Sequence, residues 1–231
     1  HTYGVVKASE YIASKLNISS EDIELAKLIA LLHDLGRFEQ IRKSNSFIDN
    51  KDMDHAVLGN EILFKNNLIR EFIEDNQYDS IISKAILNHN RLYIEEGLTD
   101  RELLHAKIIR DADKTDNFRV KAEDDFENII DNSSREILEN DVISDKIYND
   151  FMNNKIIVRE DRTTYMDFWV SYIAFIFDFN YKFGLEYIKE MDYINIVINR
   201  LDYKKKDTKQ KMYEIRNHAL EYIENSLKCE K

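Results

Sequence analysis

Residues that break helices are nearly missing from this sequence, which has no proline and only 5 glycines among 231 residues. Proline removes a backbone hydrogen-bond donor and glycine raises the entropy cost of forming a helix, so their scarcity favours helical segments. Hydrophobic residues make up 43% of the chain, which is enough to bury a substantial core. We therefore expect an all-α protein that folds as a single domain over residues 1–231.

The sequence also has a single cysteine and a negative net charge. The only cysteine, Cys229, lies near the C-terminal end, so no internal disulfide can form and we expect a reducing, cytoplasmic location. The 33 basic and 44 acidic residues give a net charge of -11, which argues against a nucleic-acid polymer as partner. A small anionic ligand remains compatible with this charge, because a bound metal ion and one or two nearby cations can reverse it locally.

Long hydrophobic runs are also absent. The most apolar run, residues 168–177, ends at Asp178 and is too short to cross a bilayer. No segment resembles a signal peptide, and we expect no membrane attachment. Residues 165–187 are dense in Phe, Tyr and Trp. Aromatic residues at this density more often pack a core than bind a ring-shaped ligand, so we interpret them as core.

Four histidines lie on helical faces that otherwise carry apolar side chains. They are His1, spaced with Val5, Ala8 and Ile12; His33, spaced with Ile29 and Ala30; His55, spaced with Leu58 and Ile62; and His89, spaced with Ile82, Ala85 and Ile86. A helical face of this kind normally points into the core. The spacing therefore predicts that all four imidazoles point inward.

Capping and turn residues predict where the helices begin and end. Ser19 with Asp22 resembles a capping box, Gly36 is placed to stop that helix, and Asp79 is placed to cap a later one. Residues 42–54 lack periodicity and are predicted to form a loop near the site. Further helices are predicted from Asp54, from Thr99 or Asp100, and over 121–140, 141–157, 163–178, 180–201 and 205–228, with Asn153, Asn154 and Gly184 as weak points and the last helix amphipathic.

Imidazoles and carboxylates that converge in a helical core are typical of a divalent metal site. A single histidine on an apolar face is usually a core residue with its hydrogen bonds satisfied. Four of them, together with Asp34 and an acidic residue at Asp111 or Asp113, would be costly to bury without partners. A metal ion would offset that desolvation cost. Helical periodicity leaves Asp111 and Asp113 undecided.

The segment Leu31-Leu32-His33-Asp34-Leu35-Gly36-Arg37, with His1 upstream and Asp111-Ala112-Asp113-Lys114 downstream, resembles the HD-domain superfamily of metal-dependent phosphohydrolases. The resemblance covers about residues 1–120 and leaves 121–231 as additional C-terminal helices packed on this core. It implies an all-helical bundle and one metal ion. The implied ligands of that ion are His1, His33, Asp34 and Asp113. Asp113 is preferred to Asp111 because the family motif ends in Ala-Asp-Lys/Arg, which leaves Asp111 a supporting or capping role.

Some members of the superfamily bind two metal ions and have two further histidines, which His55 and His89 match in order and approximate spacing. Asp34 would then bridge both ions. Alternatively, His55 and His89 contact a substrate phosphate or shuttle a proton. The expected cofactor is therefore a pair of divalent ions, with Mn, Ni, Co, Zn, Mg and Fe all open.

The resemblance implies an enzyme that hydrolyses a nucleotide or another small phosphate ester with a metal-activated water. The expected catalytic residues are Asp34 and two cations, Arg37 and Lys114, which would stabilise phosphoryl charge. Either cation could instead form an ordinary salt bridge, and Arg91 is a weaker candidate of the same kind. A di-iron oxygenase with the same order of ligands and a metal-stabilised nucleotide-binding module without turnover are the alternatives. The amphipathic last helix is compatible with a homodimer.

Overall fold

The structure, a computed structural model, describes residues 1–46, 49, 53–130 and 133–228. These residues form α-helices, short 3-10 helices and connecting turns, and this described part contains no β-strand. The prediction of an all-α protein is confirmed. None of the described helices combines the length and the apolar character that a membrane span requires.

The chain divides into two compact units, residues 1–113 and residues 114–231. The boundary falls inside one continuous helix, Asp100–Glu123. The expectation of a single domain, with a core that ends at about residue 120, stays a prediction.

The first unit holds all of the candidate metal ligands. Its helices are α1 (Thr2–Lys15), α2 (Ser20–Leu32), α3 (Gly36–Ser44), α4 (His55–Phe64), α5 (Asp79–Asn88) and the first part of α6 (Asp100–Glu123), with 3-10 helices at Leu68–Glu71 and Asn76–Tyr78. α1 packs against α2, α3 packs against α4, and α5 contacts both α2 and α4. This packing brings the ends of several helices together.

The apolar stripe predicted for α1 forms part of the core. Val5, Ala8 and Ile12 are all buried, and burial of a side chain such as Ile12 contributes roughly 1.5 to 3 kcal/mol to stability. Small residues let α2 approach closely, and the Ser9 hydroxyl donates to the Ala26 carbonyl oxygen at 3.1 Å. The inward face predicted for α1 is confirmed for its apolar members, but His1 itself is exposed, with 30% of its side chain accessible.

The predicted cap at Ser19 is confirmed, and the helix predicted from Asp54 begins there, with Asp54 as its cap. The Ser19 hydroxyl accepts from the backbone N–H of Asp22 at 3.1 Å, and the Asp54 carboxylate accepts from the N–H of Ala56 at 2.8 Å. The prediction for Asp79 was wrong, because Tyr78 precedes the helix as its N-cap and already has helical backbone angles. The 3-10 helix Asn76–Tyr78 runs directly into α5, so no extended capping residue separates the two.

Gly36 does not stop α2, and that prediction was wrong. α2 ends at Leu32, and Gly36 is the first residue of α3. A Cβ atom on Gly36 would lie only 2.0 Å from the carbonyl oxygen of His55 and 2.5 Å from the backbone nitrogen of Gly59. Glycine is required here because the backbones of α3 and α4 are in direct contact, not because a helix ends.

The loop predicted over residues 42–54 begins later than expected. α3 continues through Ser44, so residues 42–44 are helical. The helix ends where Asn45 adopts a left-handed backbone with φ of 52°, a conformation that asparagine tolerates better than most residues. Residues 47, 48 and 50–52 of the predicted loop lie outside the described residues.

A partly buried ion pair connects the start of α2 to α6. Arg101 Nε donates to Asp22 Oδ1 at 2.7 Å, His105 Nε2 lies 3.0 Å from the same oxygen, and the Ser19 hydroxyl donates to Oδ2 at 2.7 Å. Burial alone would raise the pKa of Asp22, but these hydrogen bonds outweigh it and lower the pKa to about 2. The ionised carboxylate is therefore the form that stabilises this part of the first unit.

The lowered pKa of Asp22 predicts sensitivity to acid. The folded pKa of about 2 lies below the ordinary value of 3.8, so the stabilisation is complete above the unfolded-state pKa and is lost as the pH falls through the folded pKa. Asp22→Asn should remove about 1 to 2 kcal/mol at neutral pH and flatten the loss of thermal stability between pH 5 and pH 2. Melting curves followed by circular dichroism at several pH values test this.

The matched control is Glu24→Gln, which alters an exposed carboxylate on the same helix. It should leave the melting temperature and its pH dependence unchanged. Identical acid sensitivity of Asp22→Asn and wild type would contradict the stabilising role of this ion pair.

The second unit contains shorter helices than the sequence predicted. They are the rest of α6, α7 (Phe126–Ile129), α8 (Arg135–Asn140), α9 (Asp145–Met152), α10 (Tyr165–Ile173), α11 (Lys182–Glu190), α12 (Tyr193–Asn199) and α13 (Lys206–Lys228), with 3-10 helices at Arg159–Asp161 and Ala174–Asp178. The single helix predicted over 121–140 was wrong, because α6 ends at Glu123 and two shorter helices follow. Residues 131 and 132 lie outside the described residues.

Two further breaks show how turn residues act in this unit. α9 ends at the predicted weak point, where Asn154 has a positive φ of 57°. The helix predicted over 180–201 breaks at Asp192, with φ of 56°, and not at Gly184, which lies inside α11. A Cβ on Gly184 would lie 2.3 Å from the ring of Phe179, so this glycine makes room for an aromatic ring.

The aromatic residues between 165 and 187 pack the core of the second unit, as predicted. Trp169 is fully buried, and Phe168 and Tyr172 pack against the same cluster. The amphipathic pattern of α13 is also confirmed, since Met212 and Ile215 are fully buried. The apolar face of α13 is thus used within its own unit.

Candidate metal centre

His33 and His89 occupy equivalent places at the ends of two helices. His33 is the C-cap of α2 and His89 is the C-cap of α5. Their Nδ1 atoms lie 2.7 Å from the carbonyl oxygens of Ala30 and Ile86, each three residues earlier. The last carbonyls of a helix have no partner inside it, and a carbonyl oxygen only accepts. Each ring therefore donates its Nδ1–H, which leaves Nε2 as the nitrogen that can bind a metal ion.

The ring of His55 is oriented in a different way. It is the first residue of α4, directly after the N-cap Asp54, so no helix carbonyl lies behind its ring. Its Nδ1 lies 2.8 Å from both carboxylate oxygens of Asp49. An ionised carboxylate only accepts, so His55 also donates its Nδ1–H, and Nε2 is again the nitrogen that can bind a metal ion. Burial would lower the pKa of this ring, but Asp34 and Asp49 outweigh it and raise the pKa to about 9.

The three Nε2 atoms converge on Asp34. His55 Nε2 lies 3.2 Å and His89 Nε2 3.7 Å from Asp34 Oδ1, and His33 Nε2 lies 3.7 Å from Asp34 Oδ2. His55 Nε2 and His89 Nε2 are 2.9 Å apart. His33 Nε2 is buried and has no hydrogen-bond partner among the described residues. A divalent cation between these nitrogens and the carboxylate would replace the protons that otherwise bridge them.

His1 and Asp113 complete the cluster. His1 Nε2 lies 3.0 Å from Asp113 Oδ1. The imidazoles form a continuous row, with ring centroids 5.7 Å apart for His1 and His33, 5.1 Å for His33 and His89, and 4.8 Å for His55 and His89. Asp111 is fully buried and joins none of the potential ligand groups in the described part of the chain.

Electrostatics keep the carboxylates charged. Burial would raise the pKa of Asp34, but hydrogen bonds from His55 and His89 hold it well below its usual range. Burial likewise opposes ionisation of Asp113, and His1 outweighs it so that the pKa is lowered. Burial lowers the pKa of His33, which favours the neutral ring. Ionised carboxylates beside a neutral imidazole are the protonation states that a metal ion requires.

The donor atoms fit a divalent cation. In three overlapping groups, one ligand atom from each member lies within 4.8 Å of the others: His1, His33 and Asp34; His33, His89 and Asp113; and Asp34, His55 and His89. Imidazole nitrogen with carboxylate oxygen suits Zn, Fe, Ni, Co or Mn. Asp34 belongs to two of these groups, as a bridging ligand would.

A family model described as HD domain matches residues 1–117 of this sequence. The chain belongs to the HD domain family. This places it in a superfamily of metal-dependent phosphohydrolases whose members bind divalent metal ions. Searches of curated proteins and of solved structures found no match.

The predicted cations of the HD domain lie in different surroundings. Arg37 is beside the cluster, with Nε 3.4 Å from Asp34 Oδ1 and Nη1 3.6 Å from Asp49 Oδ1. Lys114 belongs to the second unit, where its Nζ lies 2.6 Å from Asp178 Oδ2. Arg91 pairs with Glu95 at 2.9 Å on the surface. Catalytic roles for Arg37 and Lys114 stay predictions, and both form the ion pairs that were the alternative.

Three residues beside the cluster had no role in the sequence analysis. They are Asp49, which accepts from His55; Gly59, whose backbone contacts Gly36; and Arg110, whose guanidinium is buried. Arg110 donates to the backbone carbonyls of Asn88, Arg91 and Leu92, and so holds the turn that follows His89. Only Arg110 carried a signal, because it is a charged residue directly after the apolar pair Ile108 and Ile109.

Proposed function

We propose that this HD domain is a dinuclear metal-dependent phosphohydrolase that acts on a nucleotide or another small phosphate ester. The observation that carries the proposal is the orientation of His33, His55 and His89. Each donates Nδ1–H to a protein oxygen and presents Nε2 toward Asp34. Fixed tautomers of this kind are typical of histidines that bind a metal.

The proposed ligands divide into two sets that share one carboxylate. His1, His33, Asp34 and Asp113 would hold the first ion, and Asp34 with His55 and His89 would hold the second. When bound, two divalent ions supply a water acidic enough to give hydroxide near neutral pH, and they offset the charge of the phosphoryl group. The overlapping donor groups support this division, because Asp34 lies in both sets.

Protein side chains would bind and orient the substrate. Arg37 lies beside Asp34 with its side chain 26% exposed, so a phosphate that reaches the cluster also reaches this guanidinium. Its planar fork matches phosphoryl oxygens in two places at once. Lys114 is proposed as a second cation, and in that role its ammonium would exchange Asp178 for the substrate. Asp34 fixes the positions of the imidazoles around it.

The proposed substrate is small and anionic. A net charge of -11 repels a polyanion over a long range, whereas one phosphate group needs only the local charge of the ions and Arg37. We propose a cytoplasmic location on the same grounds as before, since the only cysteine is terminal.

Metal removal followed by reconstitution tests the proposal. Protein stripped with a chelator should release no phosphate from a panel of nucleotides and small phosphate esters. Addition of Mn²⁺, Co²⁺, Ni²⁺, Zn²⁺ or Mg²⁺ should restore release with at least one substrate. A reconstituted protein that holds its metal and is inert against the whole panel would contradict the proposal.

A further inference from the structure

The three inward-facing histidines are not supported alike. His33 and His89 both donate Nδ1–H to a carbonyl oxygen of their own helix. His55 donates instead to Asp49, which comes from outside its helix. The difference follows from position, since His55 begins α4 while the other two end their helices. A ring at a helix start has no free carbonyl behind it and needs an external acceptor.

Asp49 is itself held in place by several donors. It accepts from Gln40 Nε2 at 2.9 Å and from the backbone N–H of His55 at 3.1 Å, in addition to the His55 ring. Arg37 Nη1 lies 3.6 Å away. Gln40 is fully buried, so the carboxylate is anchored to α3 by a side chain that cannot move freely. Asp49 thus links α3, through its own hydrogen bonds, to the ring at the start of α4.

We propose that Asp49 is a positioning residue that sets the affinity of the second metal ion through His55. The inference rests on the proposed two-ion site and deepens it. A carboxylate that accepts from Nδ1–H fixes the ring. It also makes Nε2 a stronger metal ligand than a carbonyl acceptor would. His33, which serves the first ion, has the Ala30 carbonyl for this purpose and does not depend on Asp49.

The consequence is a difference between the two ions. Loss of Asp49 leaves the Nδ1–H of His55 without a charged acceptor, while His1, His33 and Asp113 keep their partners. Removal of such an outer partner typically weakens metal binding by about 10- to 100-fold. The second ion should weaken by that factor, and the affinity for the first ion should stay the same.

Calorimetric titration of the metal-free protein with Mn²⁺ tests the inference. Wild type should bind two ions in separable steps. Asp49→Asn keeps a neutral oxygen that can accept from Nδ1–H, so it should weaken the second step moderately, and Asp49→Ala should weaken it by about 10- to 100-fold. His55→Ala provides the reference for complete loss of the second step. Glu61→Gln changes an exposed carboxylate of α4 that pairs with Lys65 and should bind as wild type does.

Nuclear magnetic resonance of the ring nitrogens gives a readout that a purely structural role would not move. The Nδ1–H resonance of His55 should be protected from exchange in wild type and lost from the protected set in Asp49→Ala. Equal second-step affinity in wild type, Asp49→Asn and Asp49→Ala would overturn the role of Asp49 and leave the proposed function intact. Equal weakening of both steps would overturn it too. A wild-type protein that binds only one ion would instead contradict the two-ion site itself.

Discussion

Replacement of Asp34 by alanine is expected to abolish both metal binding and phosphate release. Asp34 lies within 3.2 to 3.7 Å of the Nε2 atoms of three histidines, and it is the one carboxylate that both proposed sets of ligands share. Its loss removes a ligand from each ion and takes away the carboxylate that three Nε2 atoms face. A loss of about 4 kcal/mol in transition-state stabilisation corresponds to a rate roughly a thousandfold lower, and we expect at least that.

The measurement is metal content by elemental analysis together with phosphate release under saturating metal. Asp34→Asn serves as a second variant, because it keeps the size of the side chain and removes only the charge. Glu24→Ala, on the exposed face of α2, is the matched control and should behave as wild type. A folded Asp34→Ala protein with two bound ions and normal turnover would exclude the proposed role of this residue.

Gly36→Ala is expected to have the second largest effect. The new Cβ would lie 2.0 Å from the carbonyl oxygen of His55 and 2.5 Å from the backbone nitrogen of Gly59. Both neighbours are backbone atoms, so no side chain can turn aside, and the start of α4 has to move by about 1 Å or more. We expect a loss of about 1 to 3 kcal/mol in stability and, because His55 moves away from Asp34, about a hundredfold loss of activity.

Substitutions at two other glycines distinguish the effect of a close contact from the effect of backbone strain. A Cβ on Gly59 would have its nearest neighbour, the backbone nitrogen of Gly36, at 3.0 Å, so Gly59→Ala should be milder. Gly97 has no neighbour within 4 Å but a φ of +81°, so Gly97→Ala should cost about 1 kcal/mol without change in metal binding. Thermal melting and the Mn²⁺ stoichiometry of the three variants measure the order of these effects. Normal metal binding in Gly36→Ala would show that this contact does not set the place of His55.

The elements with strong local signals could be predicted from the sequence. Ser19 caps α2 and a helix begins at Asp54 as expected, and the apolar stripes of α1 and α13 are buried. These features depend on residues within one or two helical turns, and such interactions are encoded locally. The ligand set came from family resemblance, and the structure brings its members together around Asp34.

Most of the errors and omissions arose where a residue contacts a distant part of the chain. Gly36 was interpreted as a helix stop, since its close contact with the backbone of His55 cannot be read from the sequence. Asp49 lies in a stretch without periodicity, so nothing marked it as the partner of His55. The break at Asp192 has no proline or glycine to signal it. The role of Lys114 as a phosphate-binding cation stays a prediction, but its ion pair with Asp178 spans 64 positions of sequence and could not be predicted.

The most direct test of the central claim is the metal content and the reaction of the same preparation. Protein purified without chelator should contain two divalent ions per chain, and it should release phosphate from a nucleotide or small ester without consuming oxygen. Two irons per chain, with oxygen consumption and no phosphate release across the panel, would contradict the account and favour an oxygenase built on the same ligands.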